Sequence, residues 1–165
     1  MIILGIDPGY AIVGCGVLEY SANKFKVICH EAVTTSAGTP FEQRLMSIYD
    51  DLDIMIKKYK PDAIAIEELF FHTNHKTVIG VAQARGVILL AAVKNNIPFF
   101  EYTPLQVKQS VVGYGRAVKT QVMEMTRVIL GLASVPKPDD VADALAIAIC
   151  HAHNSGSALS RLKLS

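Results

Sequence analysis

Short apolar runs bounded by turn residues open the chain and predict three β-strands. Residues 2–6 are aliphatic apart from one glycine and stop at Asp7-Pro-Gly, which is typical of a buried strand that ends in a turn. Two further strand candidates, residues 12–20 and 25–35, are separated by a Ser-Ala-Asn turn. We therefore expect the chain to begin as an antiparallel meander.

A change of hydrophobic period after the meander predicts an amphipathic helix followed by a central strand. Apolar residues recur at three- and four-residue intervals through residues 40–58. Thr39 and Glu42 have the spacing of a capping box for this helix. Residues 63–66 are apolar on both faces of a strand, and this pattern indicates a central parallel strand.

The second half of the chain consists mainly of predicted helix. Helices are predicted at residues 76–94, from Thr103-Pro104 onward, at 119–130 and at 139–153, with one more strand at 97–102. Strands that alternate with helices after an antiparallel start predict an α/β fold, with a mixed five-stranded sheet flanked by helices. We expect one domain over residues 1–155 and a flexible tail over 156–165.

Composition and charge exclude several classes of protein. The 165 residues are 51% hydrophobic and 19% charged with a net charge of +1, which excludes a disordered chain and a strongly polycationic one. The formal net charge is −4 over residues 1–53, +6 over 54–138 and −1 over 139–165, so the middle segment is either a solvated surface or a basic binding face. Three cysteines without CxxC spacing favour the cytoplasm, and no apolar run is long enough to span a membrane.

Carboxylates at the ends of apolar elements are the candidates for chemistry, because a buried carboxylate is costly without a cationic partner. Asp7 ends the first strand, and either Glu67 or Glu68 ends the fourth. Asp140 and Asp143 begin the last helix and share one of its faces, because they are three residues apart. These side chains converge if the first and fourth strands are neighbours and the last helix packs over their ends.

Each carboxylate also has a structural explanation to be weighed against a functional one. Asp7 can start a turn, and Asp140 can cap a helix. Asp143 precedes a run of alanine, leucine and isoleucine, so capping alone does not explain it. A glutamate that closes an all-apolar strand also needs a partner. Strand alternation sends Glu67 and Glu68 to opposite faces without indicating which face holds a site.

A cluster with only oxygen ligands favours Mg²⁺ or Mn²⁺. Two such ions roughly 4 Å apart activate water and stabilise the leaving oxygen of an in-line displacement at phosphorus, so we expect a nuclease that leaves a 5′-phosphate. Lys108 and Lys119 belong to a glycine-containing basic region and are candidate phosphate contacts. Phe70 or Phe71 is a candidate stacking platform for an unpaired base.

Five motifs occur together in the order typical of one known family. They are Gly5-Ile-Asp-Pro-Gly9, Ala65-Ile-Glu67, Gln83-Ala-Arg-Gly86, Gln106-Val-Lys-Gln109 and Asp140-Val-Ala-Asp-Ala-Leu-Ala-Ile-Ala148. With these motifs spread over nearly the whole chain, the sequence resembles the RuvC family of bacterial crossover junction endodeoxyribonucleases, or Holliday junction resolvases. The resemblance implies a ribonuclease H-like fold.

The resemblance also implies an activity and a role for each matching residue. It implies a homodimer that resolves four-way DNA junctions in recombination and repair, by paired symmetric nicks that depend on Mg²⁺. The implied metal-binding catalytic residues, with Glu67 selected over Glu68, are Asp7, Glu67, Asp140 and Asp143. Phe70 is implied to lie near the junction crossover, and Lys108 and Lys119 to contact DNA. RuvA and RuvB are the implied protein partners.

Two rival functions share some of these features. A strand that ends in Asp-x-Gly also opens actin-like and sugar-kinase-like nucleotide binders, but these need further glycine-rich phosphate loops and a longer chain than this one. A junction-binding module without catalytic activity would need the same basic surface. Binding of ATP tests the first rival, and Mg²⁺-dependent nicking of a four-way junction tests the second.

Overall fold

The computed structural model describes the backbone of residues 1–69 and 75–162, and the side chains of residues 1–69 and 78–155. The order of elements agrees with the sequence prediction. The elements are β1 (Ile2–Asp7), β2 (Ile12–Ser21), β3 (Lys24–Thr34), α1 (Phe41–Tyr59), β4 (Ala63–Glu67), α2 (His75–Lys94), β5 (Phe99–Tyr102), α3 (Pro104–Val112), α4 (Lys119–Leu130) and α5 (Asp139–Leu162).

The five strands form one mixed sheet in the order β3-β2-β1-β4-β5. Strands β1, β2 and β3 pair in antiparallel fashion, which confirms the predicted meander. Ala22 and Asn23 connect β2 to β3 with φ values of 49° and 60°, as a tight hairpin turn requires. Strands β4 and β5 run parallel to β1, which confirms β4 as a central parallel strand beside the first.

Helices cover both faces of the sheet. One face, here called the α1/α2 face, packs aliphatic strand residues such as Leu4, Ile6 and Ile66 against α1 and α2. The opposite face, here called the α5 face, packs Ile3, Ala65 and neighbouring residues against α3, α4 and α5. No helix among residues 1–69 and 75–162 has the length and apolar character needed to cross a membrane.

The predicted capping box of α1 is wrong. Helix α1 begins at Phe41, its N-cap residue is Pro40, and no side chain caps it. Thr39 lies outside the helix, where its N–H donates to the carbonyl of Ser36 at 3.1 Å. Proline has no side-chain acceptor for the first N–H groups of a helix, so Pro40 contributes only its backbone carbonyl, which accepts from the N–H groups of Gln43 and Arg44 at 3.0 and 3.1 Å.

The ends of two other elements differ from prediction. Strand β5 begins at Phe99, because residues 95–98 connect it to α2 and the Ile97 N–H donates to the carbonyl of Ala92 at 3.0 Å. Helix α5 continues to Leu162, past its predicted end near His153 and into the predicted tail. The Ser155 hydroxyl donates to the carbonyl of Ala152 at 2.8 Å, so this polar side chain bonds within the helix instead of ending it.

Candidate active site

Two neighbouring strands hold Asp7 and Glu67 side by side. Strands β1 and β4 end at these residues, and Ile6 lies opposite Ile66 in the parallel register that precedes them. Asp7 alternates with Ile6 and therefore lies on the α5 face, together with Ile3 and Gly5. Strand alternation alone shows only that Asp7 and Ile6 lie on opposite faces of the sheet. The packing of α5 against Ile3 identifies the face that carries Asp7.

Glu67, and not Glu68, belongs to the group that faces α5. Glu67 is half-buried and follows Ala65 on the α5 face of β4. Glu68 lies beyond the strand, its side chain is exposed, and its N–H donates to the carbonyl of Tyr102 at 2.8 Å. The choice that the sequence alone left open therefore follows from the end of the strand and the position of the helix.

The first turns of α5 supply the other two carboxylates, Asp140 and Asp143. Asp143 Oδ2 lies 2.8 Å from Lys119 Nζ, at the start of α4. The neighbouring Asp139 pairs with Lys137 at 2.6 Å, and both of these side chains are exposed. The positive end of the α5 dipole favours carboxylates at this position.

Glycines let α5 approach the sheet closely enough to bring the carboxylates together. A Cβ added at Gly14 would lie 1.9 Å from the carbonyl oxygen of Asp140, and one at Gly5 would lie 2.1 Å from that of Ala144. A Cβ at Gly16 would lie 2.7 Å from a methyl group of Leu145. We call Gly5, Gly14 and Gly16 the glycine seam. Sequence reasoning missed this seam, although glycines at alternate positions of a strand are a signal for close backbone approach.

Asp7 and Glu67 lie in an environment that disfavours their ionised forms. Burial is the main reason why the pKa of Asp7 rises to about 8, and repulsion by Asp143, Glu67 and Asp140 raises it further, in that order. Burial and the charge of Asp143 also raise the pKa of Glu67. The hydrogen bond to Asp143 raises the pKa of Lys119. We call Asp7, Glu67, Asp140 and Asp143 the carboxylate cluster, and added positive charge would favour its ionised form.

A cleft of about 260 Å³ adjoins this cluster. Its charged lining residues are Glu67, Asp143, Lys108 and Lys119, and its apolar walls come from α3, α4 and α5. The charge of Lys108 opposes the rise in the pKa of Glu67. The cleft thus combines carboxylates that a cation would stabilise with ammonium groups that an anion would contact.

The chemistry of the donor set fits a hard divalent cation, because every member is a carboxylate and no histidine or cysteine is among them. Among the side chains of residues 1–69 and 78–155, no three from His, Cys, Asp or Glu are already arranged to hold a metal ion. Asp143 is instead paired with the Lys119 ammonium.

The site residues predicted from the sequence divide into three groups. The four members of the carboxylate cluster interact electrostatically with one another around Asp7. Lys108 and Lys119 line the adjoining cleft, and Lys119 is also an ion-pair partner within the cluster. Phe70 lies outside the described residues, and so does its neighbour Phe71.

Comparison with known proteins gives one consistent result. Residues 3–151 match the family model for "Crossover junction endodeoxyribonuclease RuvC". The enzyme of that name from Ruminiclostridium cellulolyticum is 58% identical over 161 residues, which cover 96% of this chain and 97% of the relative.

Solved structures give the same result. The Thermus thermophilus RuvC structure has a TM-score of 0.88 and 37% identity, covering 96% of this chain and 97% of that one. A structure of T. thermophilus RuvC in complex with a Holliday junction substrate has a TM-score of 0.87 and 35% identity, covering 95% and 96% respectively.

Proposed function

This chain belongs to the RuvC family of crossover junction endodeoxyribonucleases, and on that premise we propose that it cuts DNA at the carboxylate cluster. One observation carries the proposal: carboxylates from β1, β4 and α5 converge beside a cleft that also contains Lys108 and Lys119. Membership of a nuclease family does not support the nucleotide-binding rival, and three carboxylates around one buried aspartate favour an enzyme over a passive junction-binding module.

Enzymes of this family depend on metal ions, and we propose that this one uses Mg²⁺, with two ions per site and Mn²⁺ able to substitute. When bound, such ions would activate a water molecule for attack at phosphorus and stabilise the leaving oxygen. We propose that the 3′-oxygen is the leaving group, so that the products carry a 3′-hydroxyl and a 5′-phosphate. The residues that would hold them are Asp7, Glu67, Asp140 and Asp143. The closeness of these carboxylates supports two cations, because one buried aspartate with three like-charged neighbours resists ionisation.

The protein's own contribution is orientation and charge. Strand β1 holds the backbone of Asp7 opposite Gly14 of β2, and β4 holds that of Glu67 opposite Tyr102 of β5. The glycine seam sets the depth of α5 and hence the position of Asp143. Lys108 and Lys119 supply ammonium groups on one wall of the cleft, where we propose that they contact the phosphates of the DNA backbone.

We propose four-way junction DNA as the substrate, cut by two symmetric nicks in recombination and repair. A relative from T. thermophilus was solved in complex with a Holliday junction substrate, and its likeness to this chain supports the proposal. We further propose Phe70 as the residue that contacts the crossover, RuvA and RuvB as partners, and the cytoplasm as the location.

Paired nicks need two sites related by a twofold axis, so we propose a homodimer. Helix α2 has an exposed stripe at three- and four-residue intervals that includes Ile79, Gly86, Leu90 and Val93, and three of these side chains are 51–64% exposed. A Cβ at Gly86 would meet no atom within 4 Å. An apolar stripe with open space at its centre suits close packing of two α2 helices.

The dimer is tested by Leu90→Glu, with Val128→Glu on α4 as the control at a similarly exposed apolar position. We expect Leu90→Glu to sediment as a monomer at micromolar concentration and Val128→Glu to remain a dimer, because only the first places a charge in the interface. A wild-type monomer under these conditions would contradict the homodimer.

Nicking of a synthetic four-way junction, with and without Mg²⁺, tests the catalytic site. Glu67→Gln and Asp7→Asn should reduce the single-turnover cleavage rate by about a thousandfold or more, since each removes a ligand charge. Both should retain junction binding. Glu68→Gln is the matched control, because it changes the adjacent, exposed glutamate. A Glu67→Gln enzyme that cuts as fast as Glu68→Gln would remove Glu67 from the mechanism.

Binding to the same four-way junction at a series of salt concentrations tests the two lysines. Lys108→Met and Lys119→Met should each weaken binding and flatten the slope of log affinity against log salt by about 1. Lys57→Met is the control, because Lys57 lies on α1 and pairs with Asp53. A slope equal to that of the control would make the lysine a surface residue without a phosphate contact.

A further inference from the structure

Arg44 on α1 is a buried charged residue that the proposed reaction does not use. Its exposure is 8%, and within the described part of the chain no carboxylate lies within 4.0 Å of it. A buried guanidinium is costly unless hydrogen bonds satisfy it. The partners that do satisfy it therefore indicate what the residue is for.

Those partners lie in the turn that follows Asp7 and at the end of β3. Arg44 Nε donates to Thr35 Oγ1 at 2.8 Å, and Nη2 donates to the carbonyl of Tyr10 at 3.2 Å. The guanidinium also lies over the ring of Tyr10, 4.9 Å from its centroid. Thr35 Oγ1 donates in turn to the same Tyr10 carbonyl at 2.5 Å. The Tyr10 carbonyl thus accepts one hydrogen bond from Arg44 of α1 and one from Thr35, the residue after β3. We call these contacts the Tyr10 anchor.

The turn between β1 and β2 is short and closely packed, so its shape depends on the Tyr10 anchor. A Cβ added at Gly9 would lie 2.1 Å from the carbonyl oxygen of Ile12. The Thr35 N–H donates to the carbonyl of Ala11 at 2.9 Å. Asp7 is the last residue of β1 before this turn, and its orientation therefore depends on the turn on one side and on strand pairing on the other.

The ring of Tyr10 contacts both α1 and α2. Its edge meets the ring of Phe41 with centroids 5.7 Å apart. On the α2 side, a Cβ added at Gly80 would lie 2.9 Å from a ring carbon of Tyr10, so the ring lies against the α2 backbone. Tyr10 is consequently held between Arg44 and α2 and has little freedom to move.

We propose that Arg44 is a positioning residue for DNA cleavage: it holds the Tyr10 turn against α1 and so fixes the orientation of Asp7. The inference rests on the proposed catalytic role of Asp7. A carboxylate displaced by about 1 Å can cost a hundredfold in rate, and residues that support a catalytic group act by preventing such displacement. Arg44 acts through Asp7 and does not itself contact the reacting phosphate.

The test compares Arg44→Met and Arg44→Lys with Asn95→Ala. Asn95 bridges Asp53 of α1 and Ala91 of α2 through its side chain, at 2.8 and 2.9 Å, so its loss weakens the same helical layer at a distance from Asp7. We expect Arg44→Met to slow single-turnover cleavage at saturating enzyme by about tenfold to a hundredfold, with junction affinity without metal within about twofold of wild type. Arg44→Lys should recover part of the rate, and Asn95→Ala should cleave at the wild-type rate.

Hydrogen exchange supplies a readout that does not depend on cleavage. The amides of residues 9–12 should exchange faster in Arg44→Met than in Asn95→Ala, because only the first loosens the turn. If Arg44→Met does not fold, Arg44→Lys and Thr35→Val provide the same comparison, each with part of the anchor removed.

Two results would overturn the inference. One is a cleavage rate in the anchor variants equal to that of Asn95→Ala at temperatures below every Tm. The other is unchanged exchange at residues 9–12. Asp7→Asn, measured alongside, separates the two proposals: if it cleaves normally the proposed function fails, and if it is inactive while the anchor variants are fully active only the positioning role fails.

Discussion

The two faces of the sheet differ in composition although they share the same strands. On the α1/α2 face, Leu4, Ile6, Ile64 and Ile66 are almost fully buried and fill the space between strands and helices with side-chain volume. On the α5 face, the positions between them include Gly5, Ala65 and the two strand-end carboxylates. Here the backbone of α5 itself lies against the sheet.

The difference shows that one sheet can divide stability and chemistry between its faces. Large aliphatic side chains on the α1/α2 face bury much apolar area, and each contributes about 1.5–3 kcal/mol relative to exposure. The glycine seam buries little side-chain area, but it lets charged groups at the start of α5 reach Asp7. Substitutions in the aliphatic core of the first face should therefore change stability alone, and substitutions in the glycine seam should change stability and activity together.

Among the substitutions that compare the two faces, Gly14→Ala on the α5 face should have the largest effect. The new Cβ would lie 1.9 Å from the Asp140 carbonyl, between two backbones that cannot both stay in place. Overpacking of this kind costs about 1–3 kcal/mol or more, and displacement of α5 should also lower the cleavage rate about a hundredfold. Chemical denaturation and junction cleavage measure the two effects.

Gly38→Ala is the matched control for that substitution. Gly38 lies in an exposed turn, where the nearest atom to an added Cβ is the Ser36 hydroxyl at 3.9 Å. The control should change the free energy of unfolding by no more than about 0.5 kcal/mol. A Gly14→Ala protein as stable and active as Gly38→Ala would break the contrast between the faces.

A smaller effect concerns the pH dependence of stability. His151 on α5 is 3% exposed and shares a hydrogen bond of 2.7 Å with the Tyr102 hydroxyl. Burial lowers the pKa of His151 from 6.5 to about 4. Between those two pH values the unfolded chain binds a proton that the folded chain does not, so this stability is complete above pH 6.5 and is lost as the pH falls towards 4.

The expected loss is about 3 kcal/mol over that range, measured as the free energy of unfolding at a series of pH values. The same series on His151→Gln is the control, because glutamine can accept the Tyr102 hydrogen bond without titrating. Its dependence on pH between 4 and 6.5 should be shallower. Identical slopes in the two proteins would show that His151 does not produce the acid sensitivity.

The smallest effect belongs to Ile6→Val on the α1/α2 face. Ile6 is fully buried next to Asp7 in sequence, but its side chain points away from the carboxylate cluster. Loss of one methylene should cost about 0.5–1.5 kcal/mol of stability and leave the cleavage rate within about twofold of wild type. A large loss of rate would mean that the aliphatic core of the α1/α2 face, and not only Arg44, controls the site.

Local signals predicted the elements well and their ends less well. The period of the hydrophobic pattern indicated every strand and helix, since strands and helices bury their apolar residues at different intervals. Capping signals were less informative. The Thr39 and Glu42 pair does not form a capping box, whereas Thr103 and Gln106, with the same spacing, do form one. The two cases differ in where the backbone enters the helix: Thr103 is the N-cap residue of α3, whereas Thr39 precedes the N-cap residue of α1.

The sequence by itself determined the type of chemistry: all-oxygen ligands at the ends of apolar elements, with lysines in a basic segment. Its motifs also indicated the family, because they preserve residue type and order along the whole chain. Tertiary structure decided the rest. The parallel register of β1 and β4, the choice of the α5 face and the pairing of Lys119 with Asp143 all join residues far apart in the chain. Such contacts depend on backbone approach and packing in three dimensions, which local periodicity does not encode.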